Sequence, residues 1–151
     1  MLGDVKAESG DESLLKALSS YNEGQRLDDS GEYKKAIQAY DDAIASDPDF
    51  PWGYNNHAYL MVSCPDPQFR NDSKALDLAK KAAQLSGNRD WQILDTLAAT
   101  YAGVGNFEKA SEIALAIVAM APDAAKEECL FYVTRYRSRL PWSKYEPSVV
   151  D

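Results

Sequence analysis

An all-α chain of antiparallel helix hairpins stacked side by side is predicted by three observations. Small residues recur in register, with Gly24, Ala58 and Ala98 midway along one set of helices and Ala36, Ala75 and Ala110 along the next. Pro48, Gly87 and Pro122 close the units, and the repeat frame, as from Gly24 to Ala58, is 34 residues. Apolar residues recur at helical rather than strand spacing, as in Tyr33, Ile37, Tyr40 and Ile44, and nothing alternates with a period of two.

The elements follow in order. A first helix is expected over 13 to 29, stopped by Asp28-Asp29-Ser30-Gly31, and a second over 33 to 46, carrying the Tyr33 to Ile44 stripe. The third is expected over 51 to 63, with Asp49 capping and Pro51 at a first helical position, where its missing N–H is harmless. Between Ala58 and Ala75 the spacing is seventeen residues, against twelve from Gly24 to Ala36 and from Ala98 to Ala110, so this unit carries an insertion. It is read as a loop, Cys64 to Asp72, because Pro65 and Pro67 cannot continue a helix. Asp72 or Ser73 then caps a fourth helix over 73 to 86. Helices over 90 to 103 and 107 to 120 are separated by Gly103-Val104-Gly105-Asn106. A seventh, 123 to 138, should cap the array, with Leu130, Phe131, Tyr132 and Val133 inward and Lys126, Glu127, Arg135 and Arg139 in water.

The residues Gly24, Gly31, Ala36, Tyr40, Ala43 and Pro48, and again Leu94, Leu97, Ala98, Tyr101, Gly105, Ala110 and Pro122, resemble the tetratricopeptide repeat (TPR) family. With the inserted loop, the pattern looks like a variant found in many bacterial proteins. The resemblance covers about Leu18 to Trp142. It implies a right-handed superhelical array, an α-solenoid of about three units (17–50, 51–89 and 90–122), a capping helix and an extended tail (140–151), all one domain over 1–151. It also implies a binding role, and carries no reaction with it.

Composition narrows the function classes. Hydrophobic residues at 45% and charged residues at 26% are globular values and exclude a disordered chain. The longest apolar run, Ile113 to Ala121, is nine residues, about half of what a membrane span needs. Met1 to Gly10 has no apolar core behind a basic leader, so a cytoplasmic protein is expected. A net charge of −8 repels a phosphate backbone, which argues against nucleic acid as a partner. Cys64 and Cys129 have no metal spacing and are expected to be reduced packing residues.

Catalytic chemistry finds no foothold. His57 stands alone where the repeat places an apolar residue, and is read as a satisfied core histidine. Asp28-Asp29 and Asp41-Asp42 are adjacent, so on a helix their side chains diverge by about 100° and cannot share a metal. No glycine pair is followed by the lysine and hydroxyl of a phosphate loop. The expectation is a non-enzyme without cofactor or metal.

By the geometry that the resemblance implies, the first helix of each pair lines a concave groove. Its lining would be Leu18, Tyr21, Gln25, Asp28 and Asp29 from the first unit, Trp52, Asn55, Asn56 and Tyr59 from the second, and Gln92, Asp95, Thr96 and Ala99 from the third. Rigid aromatics and asparagine amides suit an extended peptide, whose backbone both donates and accepts. Chaperone-tail receptors of the family clamp a terminal carboxylate with lysines and an arginine; here only Asn56 matches, with Tyr21, Gln92 and Thr96 at the cationic positions. That subtype is therefore not expected, and Asp28, Asp29 and Asp95 favour a basic or neutral ligand. Each aromatic taken singly equally suits packing between helices.

The expected function is thus an adaptor or scaffold that binds a protein or peptide segment. The alternative is an assembly unit that self-associates through its terminal helix and tail, where Trp142 and Tyr145 either fold back or dock into a neighbour. Arg135, Arg137, Arg139 and Lys144 form a basic cluster that the helix dipole accounts for without an anion.

Overall fold

The computed structural model describes residues 2–147, with side chains from Gly10 onward. Residues 148–151 of the expected tail lie outside the described residues, as do the side chains of the segment read for a leader. Among the described residues there are seven α-helices and no strand. They are α1 (Leu2–Asp29), α2 (Tyr33–Ser46), α3 (Pro51–Ser63), α4 (Asp72–Leu85), α5 (Trp91–Gly103), α6 (Phe107–Met120) and α7 (Lys126–Arg137). No helix among them is long and apolar enough to cross a membrane.

The helices pack consecutively as an α-solenoid: α1 on α2, α3 on α4, α5 on α6, with each pair resting on the next. Contacts of α1 with α3 and of α3 with α5 bring the first helices of successive pairs to one face. The closeness of these crossings comes from missing side-chain atoms. Ala36, Ala43, Ala58, Ala75, Ala98 and Ala110 are all fully buried, and small residues there let helix axes approach. At Gly24 a β-carbon would lie 2.5 Å from the Tyr40 ring, so α1 and α2 meet at a distance only glycine permits. Replacing Ala36 or Ala110 by leucine is expected to overpack its crossing and lower stability by ~1 to 3 kcal/mol. Thermal melts at the wild-type midpoint for both would show that the crossings lie elsewhere.

Loop chemistry follows the sequence in part. Gly31 and Gly105 close α1 and α5 with positive φ, 77° and 84°, and the amides beyond them return to Leu27 and Tyr101 carbonyls. Asp90 and Asn106 accept backbone N–H bonds at the starts of α5 and α6. Two expected caps are corrected. Asn71, not Asp72 or Ser73, caps α4 by accepting from the Lys74 amide at 3.1 Å. Phe50 precedes α3 without a side-chain cap, and the nearby Asp47 carboxylate takes the Asp49 amide at 3.1 Å. Between α3 and α4 the chain makes a short 3-10 turn, Pro67–Phe69. Its Phe69 ring packs 5.8 Å from Tyr33, tying this loop to the first hairpin.

Three further departures concern the ends. Helix α1 begins at Leu2, well before residue 13; no apolar stripe marks that stretch, and exposed side chains such as the Glu12–Lys16 pair at 3.4 Å suffice to accompany the backbone. Helix α7 starts at Lys126, after a 3-10 turn over Asp123–Ala125. Its inward stripe is Cys129, Tyr132, Val133 and Tyr136, whereas Leu130 is 51% exposed. Steps of three, one and three place those four on one side and carry Leu130 around to the other. Lys126 and Arg135 are half-buried, while Glu127 and Arg139 do face water.

The tail folds back on its own chain. Tyr132 donates to the Ser143 carbonyl at 3.0 Å, Arg135 donates to the Pro141 carbonyl, and Tyr145 packs 5.3 Å from Phe131. Trp142 meets the edge of Tyr59 at 5.7 Å. Arg139 covers the Phe107 ring at 5.3 Å, so two of the four basic residues of that cluster serve the fold.

Candidate functional site

The first helices of the pairs, with the start of α7, enclose a cavity of about 790 Å³. From α1 it is lined by Leu18, Tyr21 and Gln25; from α3 and its preceding residue by Phe50, Trp52, Asn55, Asn56 and Tyr59; from α5 by Trp91, Gln92, Asp95 and Thr96; and from α7 by Glu128. The arrangement follows from the repeat. Leu18, Tyr21 and Gln25 stand 34 residues before Trp52, Asn55 and Tyr59, while Trp52 and Asn56 stand 39 before Trp91 and Asp95. The difference is the five extra residues between α3 and α4, which leave the phase of the lining helices intact.

Of the residues expected in the groove, Tyr21, Gln25, Trp52, Asn55, Asn56, Tyr59, Gln92 and Asp95 come together there. Asp28 does not: its carboxylate turns to the Tyr40 hydroxyl, 3.5 Å away, in the last turn of α1. Asp29 is exposed outside the cavity, and Ala99 belongs to a core cluster with Met61, Val62 and Ala75. Phe50, Trp91 and Glu128 were missed. Trp91 lies one helical turn before Asp95 and was legible from the 39-residue step after Trp52. Glu128 was hidden by reading α7 as a cap, although α7 continues the series of first helices.

A polar chain runs along one wall. Asn55 donates to Asn56 at 3.0 Å, and Asn56 donates to the Tyr21 hydroxyl at 3.4 Å. Burial pushes the Tyr21 hydroxyl pKa up. Tyr21 also packs edge-on against Phe50 at 5.6 Å, so it serves the hydrophobic core and the cavity together. The Asn55 side chain is 5% exposed, and its Oδ1 has no hydrogen-bond partner. Asp95 is the most perturbed acid: burial, reinforced by the negative charge of Glu128, raises its pKa to about 7.

His57 is fully buried. Its Nδ1 lies 3.2 Å from Asp41 Oδ1, yet neither ring nitrogen completes a hydrogen bond. It is a core histidine, as expected, but an unsatisfied one, and burial holds its pKa below the usual value. Cys64 and Cys129 are free and buried. Among the described residues no three His, Cys, Asp or Glu side chains are grouped so as to hold a metal ion.

A family model described as TPR repeat matches residues 24–62, the end of α1 through most of α3. No curated protein matches the chain. Repeats of this family are generally non-catalytic protein–protein interaction modules. Residues 24–62 are thus similar to the tetratricopeptide repeat, and the helix pairs that follow stack over buried crossing alanines in the same way.

Proposed function

We propose that the chain is a single repeat domain that binds an extended segment of a protein partner in the cavity formed by its first helices, acting as an adaptor or scaffold without chemistry of its own. The observation that carries this reading is the lining itself: rigid rings on three helices beside a row of amides, in a space large enough for several residues of peptide. The cytoplasm and a non-catalytic role belong to the same reading.

The test is the pair Tyr21→Ala and Asn56→Ala, which removes a ring and both polar groups of the Asn56–Tyr21 bond. Proteins crosslinked to the wild-type chain in its native host should be lost from the double variant, with helicity by circular dichroism retained. An unchanged partner set on a folded variant would place binding outside this cavity. Self-association through the tail is less well supported, because Trp142 and Tyr145 pack within the chain. Light scattering across a concentration series should report a monomer.

A further inference from the structure

The cavity holds acceptors and negative charge, and no basic group to answer them. None of its lining residues is lysine, arginine or histidine, and its two ionisable acids are Asp95 and Glu128. Neither acid forms a salt bridge within the chain among the described residues. Asn55 adds an independent sign. It is 95% buried in the cavity wall, its amide N–H is already committed to Asn56, and its Oδ1 is left without a donor. Buried acceptors in folded proteins are almost always paired, and this one is not. Rings of Trp52, Tyr59 and Trp91 line the same space and favour positive over negative charge at their faces.

We propose that the partner segment is basic, and that it places a lysine or arginine side chain between Asp95 and Glu128. This inference rests on the cavity being the binding site and specifies the chemistry of what enters. Electrostatics selects the class: an acidic segment would bring like charge to the half-buried Asp95 and the exposed Glu128, and a neutral one would leave them uncompensated.

The experiment is selection from a random peptide display library on the wild-type chain, followed by titration calorimetry with one synthetic selected peptide. Lysine and arginine should be several-fold enriched over the unselected library. The peptide should bind at least tenfold more weakly to the Asp95→Asn, Glu128→Gln variant. It should bind normally to Asp77→Asn, Glu108→Gln, which removes the same charge from exposed positions on α4 and α6. An equal loss in that control would reduce the effect to net charge and overturn the inference. Selected peptides that are neutral or acidic, weakened by Tyr21→Ala with Asn56→Ala yet indifferent to the Asp95 and Glu128 changes, would sink the basic ligand and leave the cavity standing. Peptides indifferent to both pairs, or an empty selection, would remove the cavity as the site and the inference with it.

Discussion

Tyr40→Ala is expected to lower the stability of the chain by ~3 to 5 kcal/mol, the range for emptying a large buried aromatic site. For a domain of this size that is a fall in melting temperature on the order of 10 °C. Tyr40 is fully buried, under Gly24 of α1 and 6.4 Å from the Tyr21 ring. Its hydroxyl reaches Asp28 at a long 3.5 Å, so Tyr40→Phe should stay within about 1 kcal/mol of wild type. The partner change is Gly24→Ala. Helix propensity alone would make it stabilising by ~1 kcal/mol, but the new β-carbon would sit 2.5 Å from the ring, so a net loss of ~1 to 2 kcal/mol is expected. In the double variant, Tyr40→Ala removes the atoms that Gly24→Ala strikes, and the two effects should not add. Additive losses, or a stabilised Gly24→Ala, would show that α1 and α2 cross at another point.

Asp95→Asn is expected to stabilise the fold near neutral pH and to leave it unchanged in acid. Asp95 has a pKa of about 7 when folded, against an ordinary value of 3.8. A group whose pKa rises on folding contributes its full stability below the unfolded value and loses it as pH rises toward the folded one. Between about pH 4 and pH 7, therefore, the unfolded chain sheds the Asp95 proton while the folded chain keeps it, and stability drains away. Asparagine has no proton to shed, so the advantage of the variant should grow across that window and stay constant above it. Solvent reaching this half-buried group limits the gain to ~1 to 3 kcal/mol. His57 acts in the opposite sense: its pKa is lowered by burial, so it withdraws stability as pH falls below its ordinary value. Because His57 is present in both proteins, the difference between their melting curves at pH 4, 6 and 8 isolates Asp95. A difference that does not change with pH would mean that its carboxyl ionises normally.

A carboxyl that weakens the fold in the lining of a cavity fits a site shaped for something other than stability, since binding groups are commonly held at the expense of the scaffold. Asn55 is of the same kind, a buried amide with an unanswered oxygen.

The helix pairs and their crossings were legible in the sequence, because the recurrence of Gly and Ala midway along successive helices is the direct imprint of close helix approach. The lining residues on α1, α3 and α5 were legible for the same reason: once the phase of a helix is known, its faces follow from its 3.6-residue turn. Asp28 shows where that reasoning stops. It shares a helical face with Tyr21 and Gln25, but at the end of α1 the nearest polar partner is the Tyr40 hydroxyl of α2. Helix periodicity knows nothing of the neighbouring helix. Phe50, outside any helix, and Glu128, on a helix read as a cap, entered the cavity for the same kind of reason.

By itself, then, the sequence determined the number of helices, the pairs they form, the small residues that let them touch and the face that is left open. These are local properties, carried by spacing along one chain. Only the tertiary structure decided which caps form, that the tail returns to Tyr59 and Phe131, and that Asp95, Glu128 and Asn55 line one cavity. Those depend on groups far apart in the chain whose mutual distance is set by packing, and desolvation and like charge then act on whatever packing has brought together.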